Sequence, residues 1–206
     1  MPAEKPQFPT HFSEKPRPYT GPELRPHFLL TEFALRGSAL GAFIGPCHVK
    51  TDHLVDWEDR LANDRIEAKQ MVHFLGEFFG ATLKEGVLRQ RLFIAQLGQS
   101  IQRHLEKSGL SRKFRLHRDG DDLFLTDLTA PESAPRKLSV SIVTASPVSQ
   151  LLHTGINVDP EGAPVPAIGL RELGIEPVEW AKQALETFAQ EWDGVEWACA
   201  KVRPVM

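Results

Sequence analysis

Residues 121–159, DDLFLTDLTAPESAPRKLSVSIVTASPVSQLLHTGINVD, constrain the fold of this chain more than any other stretch. Alternating apolar runs separated by polar, proline-containing turns specify adjacent β-strands, because successive strand side chains point to opposite faces. The first turn ends in Arg136-Lys137-Leu138-Ser139. The second leads into His153-Thr154-Gly155-Ile156-Asn157-Val158. A lysine at the start of a buried strand, facing a Gly-Ile-Asn-Val strand, suits a site that grips an activated carboxylate. Its charge neutralises an acyl phosphate or polarises an acyl carbonyl, and Gly155 lets a ligand approach the backbone. The same residues equally make an ordinary hairpin with a solvated lysine.

Helices precede this run of strands. Residues 56–79 place Ile66, Met71, Phe74, Leu75 and Phe78 at helical spacing, which predicts a long helix capped by Asp52 or Asp56 and stopped at Gly80. A second helix is expected over 87–107, ending at Gly109, and a third over 177–191, opened by Pro177. Strands are expected within 28–44, over 113–117, 122–128, 137–144 and 151–158, and within 195–202. This order implies an α+β fold, with a mixed or antiparallel sheet and helices packed on one face. Residues 1–26 hold seven of the sixteen prolines and read as an extended, partly disordered arm, although Phe8, Phe12 and Tyr19 are able to dock. Residues 27–206 read as a single α+β domain.

With 206 residues, 41% of them hydrophobic, the chain is long enough for one full core. A formal net charge of −3 and the lack of a basic stripe argue against a nucleic-acid partner. Two cysteines make no disulfide framework, and neither a membrane span nor a signal pattern is legible, so a soluble cytoplasmic protein is expected.

The order Asp121-Asp122-Leu123, Arg136-Lys137-Leu138-Ser139, Gly155-Ile156-Asn157-Val158 resembles the biotin protein ligase and lipoate ligase/octanoyltransferase superfamily. The whole chain, including Gly45-Pro46-Cys47, Val55-Asp56-Trp57-Glu58-Asp59 and Lys201-Val202-Arg203, is similar to an uncharacterised bacterial and archaeal family grouped with it. The resemblance implies a class II synthetase-like sheet, a small-molecule carboxylate or acyl-carrier substrate, and Lys137 on the acyl oxygen, with His153 and Asn157 beside it. Two departures bear on the reaction. Those ligases wrap nucleotide phosphates in an arginine- and glycine-rich loop, whereas residues 45–59 here are acidic, which disfavours ATP-dependent ligation. Ala167 stands near where the octanoyltransferases carry a nucleophilic cysteine.

Cys47 is the candidate replacement nucleophile, its thiolate stabilised by a helix N-terminus and by Lys137 or His48. His153 is a candidate oxyanion donor or general base. Asp122 orients Lys137 or touches the ligand; Asn157 contacts the ligand or holds backbone; His48 and Gly155 complete the candidate pocket. His73 reads as a hydrogen-bonded core histidine. His48, His53 and the neighbouring acids match no metal-ligand template, and helix capping accounts for most of the acids. The leading expectation is an acyl- or carboxylate-handling transferase or ligase-like protein. A non-catalytic binding module for a small molecule or carrier protein is the alternative. The residues specify no cofactor and no oligomeric state.

Overall fold

The computed structural model describes residues 7–205. The chain runs β1 (Thr10–Ser13), α1 (Phe28–Phe33), β2 (Ala39–Val49), α2 (Trp57–Leu61), β3 (Ile66–Phe79), α3 (Leu83–Lys107), β4 (Phe114–Asp119), β5 (Asp122–Asp127), β6 (Arg136–Lys137), β7 (Ser139–Ala145), β8 (Ser149–Asp159) and α4 (Pro177–Ala200). The main sheet has the order β1-β2-β3-β8-β7, with β1 parallel to β2 and the other pairs antiparallel. Strands β4-β5-β6 form a second, three-stranded sheet. The α+β fold with a mixed sheet is the one the sequence implies.

Helices α3 and α4 cover one face of the main sheet. Val72, Phe74, Leu152 and Ile156 meet Phe93 and Phe188 there, all at most 1% exposed. Each such side chain contributes about 1.5–3 kcal/mol by leaving water. The opposite face carries a smaller apolar layer in which Tyr19, Phe28 and Leu29 pack on Phe43, Met71 and Leu75. Helix α3 begins earlier than its apolar stripe suggests, because Thr82 and Glu85 form a reciprocal capping box before Gly86 and Val87 are reached.

The helix expected over 56–79 is the largest correction. Asp56 does cap a helix, through Glu58 N at 2.7 Å, but that helix ends at Leu61 and Asn63 turns the chain at φ 55°. Residues 66–79 are the central strand β3. Its two faces feed different cores, Val72 and Phe74 toward the helices and Met71 and Leu75 away from them. A strand buried on both sides shows a continuous apolar run, which mimics a helix in periodicity. Residues 28–33 likewise form a short helix ahead of β2, and 195–200 continue α4 in place of the expected strand.

Of the proline-rich arm, residues 1–6 lie outside the described residues. From residue 7 onward it packs along the domain instead of standing free. β1 pairs with β2 in the register Thr10 to Leu40. The Phe8 ring centroid lies 4.6 Å from that of Trp192, and Tyr19 N donates to the Pro46 carbonyl at 2.9 Å. Prolines, which lack an N–H, are tolerated along such a sheet edge.

Candidate functional site

The side of the sheet away from α3 and α4 opens into a cleft of about 380 Å³ beside β7 and β8. Met71, Val140, Ile142, His153 and Asn157 line it from the sheet. The segments 54–59, 64–67 and 163–167 wall it, and Asp122 and Lys137 border it from the second sheet.

Lys137 owes its position to backbone bonds on both sides. Its N–H donates to the Pro166 carbonyl at 2.8 Å, and its carbonyl accepts from Ile168 N at 3.1 Å and from Asn157 Nδ2 at 3.1 Å. Asn157 therefore holds the backbone of the lysine. The side chain extends to Asp122, Nζ to Oδ2 2.8 Å, and lies 5.9 Å from the Phe124 ring centroid. Burial, the largest influence, raises the Asp122 carboxyl above its usual range, against the opposing pull of Lys137. The lysine, Asp122, His153 and Asn157 are thus brought to one cleft, as the order of the strands suggests.

Under the cleft lies a pair of buried histidines on adjacent strands. His73 Nε2 lies 3.2 Å from the Gly45 carbonyl and His73 Nδ1 lies 3.1 Å from His153 Nε2. A carbonyl only accepts, so His73 carries its proton on Nε2. Its Nδ1 then accepts from His153 Nε2–H, which leaves the His153 Nδ1 lone pair without a partner among the described residues. The expected role of His153 as an oxyanion donor is excluded by this arrangement, because its N–H is already used. Tyr19 stacks on the ring, centroids 3.7 Å apart at 11°. The β-bulge between Gly45 and Cys47 interrupts the register beside the carbonyl that anchors the chain of bonds.

Burial lowers the His73 pKa to about 4 and holds that of His153 well below the ordinary histidine value, with the neighbouring His73 charge adding to the latter. Both rings are neutral in the folded protein at neutral pH, while the unfolded chain protonates them near about 6.5. Between those values the unfolded state binds more protons, so stability is fully present above about pH 6.5 and is lost as pH falls toward about 4. Thermal denaturation between about pH 7 and pH 5 is expected to show this decline. A His73→Gln, His153→Gln double variant should have a shallower slope; an equal slope would show that other groups control acid sensitivity.

Cys47 does not join the site. It lies inside β2, 2% exposed, and is absent from the cleft walls. Burial first, then the charges of Glu23 and Glu67, push its thiol up to about 12, the reverse of the activation expected for a nucleophile near a helix N-terminus. His48 points outward, 3.9 Å from Glu67, and does not line the cleft. Gly155 opposes His73 and Val140 on neighbouring strands, and a Cβ there would lie 2.7 Å from Met71 Cε. It therefore makes room on the open face. His73 is the buried, hydrogen-bonded histidine expected, but its pairing with His153 across 80 residues left no local signal. Asp59, attributed to helix capping, turns out to border the cleft.

The chain is 31% identical over 195 residues to uncharacterized protein MJ0805 of Methanocaldococcus jannaschii, covering 91% of this chain and 81% of that one. Its structure is similar to a protein of unknown function from Pyrococcus horikoshi, with TM-score 0.81, 32% identity, and coverage of 97% and 100% of the two chains. More distant likeness extends to the biotin acetyl coenzyme A carboxylase synthetase of Helicobacter pylori, with TM-score 0.46, 12% identity and coverage of 90% and 75%. No helix among the described residues is long and apolar enough to cross a membrane. The chain belongs to the family described as a domain of unknown function, DUF366, whose model matches residues 8–203.

Proposed function

We propose that the cleft binds a small molecule through an acyl group and that Lys137 is the residue that grips the acyl oxygen. The carrying observation is the ammonium group of Lys137, held 2.8 Å from Asp122 at the edge of a cavity of about 380 Å³. That volume falls within the range of small-molecule sites. Because Asp122 already balances the lysine charge, the pair favours a neutral acyl carbonyl or a carboxylate with its own counter-charge over a bare carboxylate.

The supported reaction type is transfer or binding without a covalent acyl-enzyme. Cys47 is buried and does not line the cleft, and the hydroxyls of Ser139 and Ser141, which do, are engaged. Ser139 Oγ accepts from Leu123 N at 2.8 Å, and Ser141 Oγ lies 2.9 Å from Thr154 Oγ1. The same lack of a free nucleophile supports the second reading, a binding module that performs no chemistry.

A thermal-shift series with octanoate, lipoate, biotin and an octanoyl thioester tests the binding claim. At least one compound is expected to raise Tm by a few degrees at saturating concentration, since a ligand present at about 100 times its Kd adds about 2.7 kcal/mol. Lys137→Met should abolish the shift while leaving the unliganded Tm within about 4 °C, because a partly exposed ion pair contributes at most about 1 kcal/mol. Absence of a shift with every acyl compound would sink the proposal. Turnover of the thioester would decide against the binding-only reading.

A further inference from the structure

The cleft has a charge pattern that a plain acyl group does not explain. Of the carboxylates that line it, Glu67 is paired with Arg65, Asp121 with Arg91 and Asp122 with Lys137. Asp56, Glu58, Asp59 and Asp64 also line it, and among the described residues none of them has a lysine or arginine at ion-pair distance. Four carboxylates of residues 56–64 thus line the cavity without an ion-pair partner, while Arg60 of the same stretch does not line it and donates to the Asp52 and Leu54 carbonyls. Asp59 lies close enough to Lys137 and Asp56 for both to influence its ionisation, and burial is the largest cause of its raised pKa. Helix capping accounts for the placement of Asp56 and Glu58 in α2, but not for Asp64, which lies beyond that helix.

A second, independent feature asks for the same kind of ligand group. His153 is only 2% exposed and lines the cleft, yet its Nδ1 has no partner among the described residues. The bond chain from the Gly45 carbonyl through His73 fixes that nitrogen as a lone-pair acceptor. That nitrogen is not among the fully enclosed polar atoms that lack a partner, so a ligand N–H in the cleft can reach it. An acidic wall and a lone-pair acceptor on one cavity both select an N–H-bearing cation.

We infer that the ligand of this cleft is amine-bearing, with an ammonium group bound by the acidic wall and His153 in addition to the acyl oxygen held by Lys137. The inference rests on the acyl-binding reading for the Lys137 half of the ligand and stands independently of it for the ammonium half. In the bound state the ammonium donates one hydrogen bond to His153 Nδ1 and meets the carboxylates of the wall. The acyl end of the molecule reaches Lys137, whose charge Asp122 already balances. A ligand of this type, unlike a simple anion, is not repelled by the acidic wall.

Three probes of equal chain length separate the halves: 6-aminohexanoate, hexylamine and hexanoate, each titrated and followed by ligand-observed NMR. The inference expects 6-aminohexanoate to bind most tightly and hexylamine to bind more tightly than hexanoate. An Asp56→Asn, Asp59→Asn double variant keeps the α2 cap and the side-chain volumes. It should weaken both amines about five- to tenfold at low ionic strength, less as salt is added, and leave hexanoate unchanged or improved. His153→Phe, which keeps a ring for Tyr19 to stack on, should weaken the amines alone. Hexanoate binding as well as 6-aminohexanoate, with the double variant silent, would overturn the inference while leaving the acyl site intact. Amine binding that Lys137→Met does not alter for any probe would support the inference and defeat the acyl reading. Failure of both amines to bind at millimolar concentration would also overturn it.

Discussion

Phe93→Ala is expected to lower the unfolding free energy by about 3–5 kcal/mol, a large share of the roughly 5–15 kcal/mol that stabilises a domain. Phe93 is fully buried where α3 meets the sheet and α4. Its ring is edge-on to Phe74 and to Phe188, each with centroids 5.1 Å apart. Truncation removes the transfer free energy, leaves a cavity between elements that are too rigid to collapse, and breaks two favourable aromatic geometries. For a chain of this length the Tm should fall by roughly 10–15 °C. Phe79→Ala at the end of β3, where the ring is 38% exposed, should cost about 1 kcal/mol or less. Comparable losses in the two variants, measured by urea denaturation, would contradict the packing of α3 on the sheet.

The second large effect concerns Gly45. A Cβ added there would overlap the Arg17 carbonyl oxygen, where the arm crosses β2. Gly45→Ala therefore forces the arm or β2 to move, with overpacking that costs about 1–3 kcal/mol and more where backbone is involved. The consequences are coupled, because Arg17 N donates to Ile44 O at 3.2 Å and Tyr19 N to Pro46 O at 2.9 Å across the same crossing. Tyr19 would lift from His153, and the arm should be cut by chymotrypsin at Phe12 or Tyr19 well before the wild type is. Gly194→Ala should have the opposite sign. It lies inside α4, where a methyl group would meet nothing within 4 Å, so about 1 kcal/mol of helix propensity is gained. An arm that stays protected in Gly45→Ala would show that the chain crosses β2 elsewhere.

Local chemistry made much of this molecule legible. The strands at 122–127, 139–145 and 149–159 alternate or carry β-branched runs between polar turns, and they form where that pattern predicts. Pro177 opens α4 as a first-turn proline should. The Asp122, Lys137 and Asn157 motif places all three residues at the cleft. What failed was the stretch in which local signals are ambiguous. Residues 66–79 have apolar side chains for two separate cores, and periodicity alone does not distinguish that from a helix. Cys47 fails for a related reason. Gly45-Pro46 looks like a chain breaker, yet β2 passes through it with a bulge, and this carries the thiol into the interior.

The sequence by itself determined the α+β class, the strand run that carries Lys137 and the acidic character of residues 52–59, because these depend on neighbours a few positions apart. Tertiary structure alone decided that His73 and His153 share a proton-bearing bond, that Asp59 faces the same cavity as Lys137, and that Cys47 is buried without lining it. Those relations join residues 45, 59, 73, 137 and 153, which lie on different elements of the fold. Their distances are set by sheet order and register, not by spacing along the chain.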